Sequence, residues 1–427
     1  MKIRILFIEL LLVIAVIGTI SAGGKQEQPT DKKEAVKIAF WIPGSDKVSE
    51  DYFYQAAKDF TTRNPRIQVE VTILPPAAPD INTKLNAAKL SNTYPDVFSS
   101  FIVFIGARGT RGEFADLTPF IEKWPEKDDF YSSSFELGKY KGKIYGISYF
   151  PAPEILVYRK DFFKEAGLDP EKPPRNWDEL EAYALKLAKR DANNNVVRAG
   201  LDIPAINPEV FIKPFLWQNG AAVLDEEKEL PTLDDPKALE AFQYVKRLID
   251  AKISIPYDYQ KKSDIPFVKG NAAMSFIMAS TITNTLKANP QLREIIGFAP
   301  PLEKRKKVPF TGHRLFTIGA TSKYKNEAWE FIQFMLSKEQ MLLRSRLLDM
   351  PIVRKSLEQE YFKDGDAEFK KVVVEYSQLG KSAEVTTVTA ISNKYLAEAY
   401  QAVYSGKKSP EQALKDAQEG ILKDIKK

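Results

Sequence analysis

The 427-residue sequence contains no cysteine and a single histidine, His313. The first absence excludes disulfides, thiol nucleophiles, cysteine-ligated metals and acylation of a cysteine after a leader. The second removes most triad and imidazole–metal chemistry. Long runs of one charge are missing too: 62 basic and 57 acidic residues leave a formal net charge of +5. The longest basic run, Lys304-Arg305-Lys306-Lys307, reads as a solvated turn rather than a nucleic-acid groove. A phosphate loop is absent as well. Gly106, Gly109 and Gly112 follow no strand-to-helix turn, and Glu375 stands where the run Gly380-Lys381-Ser382 needs a glycine five residues earlier. No metal, cofactor or nucleic-acid partner is expected.

What is present describes a globular protein, with 44% hydrophobic and 28% charged residues. The length exceeds one ordinary core, so two domains are expected. Lys2 and Arg4 precede the apolar run Leu10–Ile17 and the small residues Ser21, Ala22, Gly23 and Gly24. That order predicts a secretory signal over residues 1–24, with an uncleaved membrane anchor as the alternative, since Glu9 interrupts the run's entry. Residues 25–35 read as a polar tether, and the expected location is periplasmic or extracellular.

From Val36 onward strands alternate with helices. VKIAFWIPG, RIQVEVTIL and YPDVFSSFIVF read as strands, and the segments between them as amphipathic helices, which predicts a largely parallel sheet. Further strands are expected at Val197–Ile203, NAAMSFIMA and LFTIGATS, and helices from Trp177, Pro236, Glu327, Glu339 and Ile391. The stretch KGKIYGISYFPAPEILVYRKDFF raises a difficulty. Its two β-rich runs are separated by Pro151 and Pro153, which lack the N–H of a ladder. A crossing between two lobes accounts for it, and GFAPPL and LDMP mark two more.

Candidate chemistry is sparse. Asp191, Asn193, Asn195 and Asp202 approach calcium-loop spacing, but Val196 occupies the glycine position, so a plain turn is the stronger reading. The pairs Asp128-Asp129 and Glu226-Glu227 read as solvated surface. Aromatic residues at strand ends say more: Trp41, Tyr149, Phe150 and Trp217 suit a cleft where rings stack on a flat ligand face. His313-Arg314 sits at a strand entry, where Arg314 either binds a ligand group or salt-bridges a domain acid.

The order of these segments, with LVYRKDFFKEAGLDPEKPPRNWDEL, FVKGNAAMSFI and PFTGHRLFTIGATSKYKNEAWEFIQFML, resembles the family 1 extracellular solute-binding proteins of bacterial ABC importers, the maltose-binding-like group. The resemblance implies an α/β, two-lobe type II periplasmic binding protein fold with three interlobe crossings. Lobe 1 would comprise residues 36–148 and 299–346, and lobe 2 residues 149–298 and 347–427. Ligand contacts are implied at Ser45, Asp46, Ser99, Ser100, Tyr149 through Ala152, Glu209, Phe211, Trp217, Met278, Ser280, His313 and Arg314. Serines stand at 100 and 280 where maltodextrin-binding relatives carry tryptophan, and Ala152 replaces an acid. The implied function is capture of a carbohydrate, an oligosaccharide, by a monomer that passes it to membrane permease subunits, with no catalytic residue. An anionic solute held by Arg314 and a secreted carbohydrate-active enzyme are the alternatives.

Overall fold

Strand β1 (Val36–Pro43) buries Ile38, Phe40 and Ile42 and ends at Gly44, after which the chain turns into α1 (Lys47–Arg63). These elements come from a computed structural model that describes residues 35–206 and 208–426. The expected signal, and all but the last residue of the tether, lie outside the described residues. Helix α1 places Tyr52, Phe53, Ala56, Ala57 and Phe60 on one buried stripe. Asp46 caps it, accepting from Ser49 N at 3.0 Å and Ser49 Oγ at 2.8 Å, which satisfies a donor the helix itself leaves free. Asp46→Ala should therefore lower stability by about 1 kcal/mol in urea unfolding.

Strand β2 (Ile67–Leu74), α2 (Ala78–Leu90), β3 (Val97–Phe101) and the short α3 (Ile105–Thr110) complete the first α/β layers. The chain then enters β4 (Ile147–Arg159), α4 (Trp177–Leu187), α5 (Glu209–Gln218) and α6 (Pro236–Asp250). Strand β5 (Met274–Met278), α7 (Ala279–Ala288), β6 (Ile296–Phe298) and β7 (Thr311–Ile318) follow. Six helices close the described chain: α8 (Lys325–Met335), α9 (Lys338–Leu348), α10 (Glu358–Lys363), α11 (Ala367–Leu379), α12 (Thr389–Tyr404) and α13 (Pro410–Ile425). Neither α10 nor α11 was anticipated.

Seven strands form one sheet in the order β5-β4-β7-β3-β1-β2, with β6 also on β4. The expected parallel sheet is corrected to a mixed one. Only β1–β2 and β1–β3 are parallel, while β7 runs antiparallel to β3 and β4, and β5 and β6 antiparallel to β4. The strand expected at Val197–Ile203 shortens to Val196–Arg198, and GFAPPL, read as an exit, begins as β6.

The proline-split stretch is a single strand of 13 residues. Its first part pairs with β7, where Pro151 lies opposite His313 and Pro153 opposite Thr311. Its second part pairs with β5 and β6. Along it, Ile147 and Tyr149 enter a core with Phe40, Phe53 and Phe316. Leu156 and Tyr158 enter another with Trp177 and Tyr244, and Ile155 and Val157 a third with Phe298 and Tyr376. One strand thus carries the chain from one set of cores to the next. The chain returns to the first set at Leu315 and Phe316, and along α11 Val373 and Tyr376 pack in the third core while Val374 stays in the first. Ile352, Val353, Leu357 and Tyr361, placed by sequence in the second lobe, pack in the first core.

Candidate ligand-binding site

Ladder register assembles most of the expected residues. Arg314 lies opposite Phe101 of β3 and Phe150 of β4, with Leu315 and Phe316 opposite Ser100 and Ser99. Ser45 and Asp46 follow the end of β1, whose Trp41 pairs with Phe98 of β3. One end of the sheet therefore gathers Ser45, Asp46, Ser99, Ser100, Phe150, His313 and Arg314, just where β4 and β7 leave the first core.

Access divides this group. Tyr149 stacks on Phe316 with centroids 3.9 Å apart and rings 10° from parallel, and its hydroxyl lies 2.7 Å from Ser99 Oγ. Both side chains are enclosed. His313 is enclosed too, with Nδ1 2.8 Å from Ser148 Oγ and Nε2 lacking a protein partner. Desolvation drives its pKa down to about 3, so the imidazole is neutral at physiological pH. Ser100, also enclosed, donates to Phe101 O at 3.1 Å. Ser45 and Asp46 are exposed, and Trp41, Phe150 and Arg314 half-buried. The Arg314 guanidinium lies 5.2 Å over the Phe101 ring, and among the described residues no carboxylate pairs with it.

Glu209 and Phe211, expected on a loop, open helix α5. Glu209 stays half-buried in the first turn, but Phe211 packs against Phe215, Phe276 and Tyr400. Trp217, read as a stacking ring, is held inside. Its Nε1 donates to Glu384 Oε1 at 2.8 Å, and Phe310 lies nearly parallel at 6.4 Å. Met278 ends β5 opposite Glu154, and Ser280 is exposed in the first turn of α7.

Glu154 was not among the residues expected at the site. Buried on β4, it accepts from Tyr259 OH through Oε1, while Oε2 has no partner. Burial raises its pKa, opposed by Lys262 and by the Tyr259 hydrogen bond. Lys262 Nζ sits 3.2 Å from the Tyr259 ring centroid. The signal was a lone carboxylate inside the apolar run PAPEILVY, on a strand buried on both faces.

Other expectations resolve more simply. Asp191 Oδ1 accepts from the N–H groups of Asn193 and Asn195, which is the plain turn. Asp202 is buried elsewhere and accepts from Phe267 N at 3.0 Å, so it takes no part in that turn. Asp129, read as solvated, instead pairs with Arg354. No group of His, Asp and Glu that could hold a metal occurs among the described residues. A groove of about 610 Å³ lies between α7 and the segment from α9 to α11.

Two sets of cores joined by three passages of the chain, with polar and aromatic side chains gathered beside the passages, define a two-lobe solute-binding protein. The chain belongs to the bacterial extracellular solute-binding protein family, whose model matches residues 46–342. It is 24% identical over 396 residues to a binding protein of Brucella abortus, covering 86% of this chain and 88% of that one. It is 22% identical over 263 residues to the arabinooligosaccharide-binding protein of Bacillus subtilis, covering 60% of this chain and 56% of that one. The cyclic alpha-maltosyl-1,6-maltose binding protein of Arthrobacter globiformis has the same fold, with a TM-score of 0.76 at 21% identity, covering 91% of this chain and 98% of that one.

Proposed function

We propose that this protein captures a carbohydrate between its lobes outside the cytoplasm and delivers it unchanged to the permease of an ABC importer. The moving bodies are residues 36–148 with 299–346 and residues 149–298 with 347–427, except that 352–361 travel with the first. The observation that carries this reading is the end of the sheet around Arg314. There the Arg314 guanidinium lies over the Phe101 ring, unpaired with a carboxylate among the described residues, and opposite half-buried Phe150. A planar cation donates to hydroxyl pairs while rings cover the apolar faces of a sugar. The names of the relatives that bind arabinooligosaccharide and cyclic maltosyl-maltose support the same class.

The unpaired guanidinium also favours a second reading, an anionic solute such as an acidic sugar or a phosphate ester. A thermal-shift panel of neutral saccharides, uronic acids and phosphate esters separates the two. A ligand at 100 times its Kd adds about 2.7 kcal/mol of stability. A neutral hit weakened in Arg314→Ala supports the carbohydrate reading. Hits confined to anions and lost in that variant support the other. Consumption of the ligand would overturn binding without chemistry.

A further inference from the structure

We propose that Glu229 is a lock between the two bodies: it fixes their separation, and the lobes move only when its contacts break. This rests on the two-lobe reading above and names the contact that sets the balance between its conformations.

Two hairpins meet at this residue. In the first body, Lys139–Tyr140 and Lys143–Ile144 pair across a two-residue turn, Lys141-Gly142, whose φ angles are 46° and 80°. In the second, Leu224–Asp225 pairs with Leu230–Pro231, and Glu229 in their loop has a φ of 57°. The Tyr140 hydroxyl donates to Glu229 Oε1, Thr387 Oγ1 donates to Glu229 Oε2, and Lys141 Nζ lies 3.5 Å from Oε1. Lys141 and Glu229 are thus both non-glycine residues in the left-handed region. That backbone cost persists only where surrounding contacts fix it.

Each hairpin is rooted in its own body. Tyr140 is buried in a core with Phe98, Phe114 and Leu315. Leu224 packs with Phe215 and Tyr244, and Pro231 O accepts from Gln418 Nε2 of α13 at 2.9 Å. Thr387 lies on the segment between α11 and α12, which passes from one body's core to the other's: Ala383 packs with Tyr145 and Leu315, and Val388 in the core of Trp177. The Glu229 side chain is only 15% exposed. Burial alone would raise its pKa, but the hydrogen bonds from Thr387 and Tyr140 and the Lys141 charge outweigh it and hold the carboxyl below its ordinary value. Glu229 is therefore a carboxylate at neutral pH, and its hydrogen bonds are of the stronger, charge-assisted kind. An O–H···O bond does not survive stretching beyond about 3.5 Å. Parting the hairpins would leave a largely enclosed carboxylate without its Tyr140 donor, which is costly. The contact is made or broken, not graded.

The test is single-molecule energy transfer between labels on Leu90→Cys and Leu185→Cys, exposed positions with one in each body, in the full chain with no saccharide added. Glu229→Ala should raise the fraction of molecules outside the main population about tenfold, the effect of ~1.4 kcal/mol. Tyr140→Phe, which removes one hydroxyl and keeps the ring in its core, should raise it by less and add nothing in the Glu229→Ala background. An unchanged distribution in both variants, even with a lowered urea midpoint, overturns the lock and leaves a merely structural contact. A full, additive effect of Tyr140→Phe on top of Glu229→Ala overturns it too, because the two residues would not then act through one contact. If Glu229→Ala does not fold, Tyr140→Phe alone decides. The readout needs no ligand, so its failure leaves the carbohydrate reading to be judged by the thermal-shift panel.

Discussion

Arg354→Ala is expected to lower the unfolding free energy by about 2–4 kcal/mol, the cost of an enclosed carbonyl left unpaired and of the void where the side chain packs. Arg354 is fully enclosed. Its Nε donates to Leu336 O at 2.9 Å, Nη1 to Asp129 Oδ2 at 3.1 Å and Nη2 to Glu126 Oε2 at 2.5 Å. The guanidinium also covers the Phe130 ring at 4.4 Å. Truncation would leave the Leu336 carbonyl without this donor and open a void beside Phe130. The segment it anchors is the one that enters the first core after α9, where Tyr131 N also donates to Val353 O at 3.1 Å. Urea unfolding should show the loss as a lower midpoint with an unchanged slope. A loss below about 1 kcal/mol would mean that the pair contributes no more than an exposed one.

His313 gives the second large effect, through pH. Its folded pKa is depressed to about 3 by desolvation, against an ordinary value near 6.5. Below that ordinary value the unfolded chain takes up a proton that the buried imidazole refuses, so stability is present above pH 6.5 and lost as pH falls toward 3. Each unit takes about 1.4 kcal/mol, hence ~3 kcal/mol between pH 7 and pH 4. His313→Asn should lose that component, so its pH slope, measured by urea unfolding, should be shallower than the wild type's by this amount. Equal slopes in the two proteins would show that the imidazole is protonated in the fold.

Much of the fold was legible because its signals are local. The apolar runs of VKIAFWIPG and RIQVEVTIL marked β1 and β2. The two prolines at 151 and 153 marked the crossing, although their strand continues through them, held by β7 on one side and β5 on the other. What escaped depends on distant partners. Sequence could not show that Ile352 and Val353 return to the first core, because their anchor pairs Arg354 with residues more than 200 positions earlier. The antiparallel sense of β7 likewise follows from where the chain re-enters the sheet. At the site, residue type was readable and orientation was not. Tyr149 lies near the start of β4 and Trp217, expected at a strand end, near the end of helix α5, and Ser99 and Glu384 bind their polar atoms inside the protein. Arg314 has an open guanidinium because no carboxylate among the described residues pairs with it.

The central claim is that the two lobes close on a carbohydrate. The absence of native cysteine makes a direct test clean, because two introduced thiols are the only ones to label. Leu90 at the end of α2 and Leu185 in α4 are exposed, one in each of the two bodies proposed to move. A donor–acceptor pair on Leu90→Cys/Leu185→Cys should report a change in transfer efficiency that saturates with the saccharide that stabilises the protein, at the same Kd found by calorimetry. Saturable binding of that saccharide with no change in transfer would contradict closure, and no response to any saccharide would contradict the functional assignment itself.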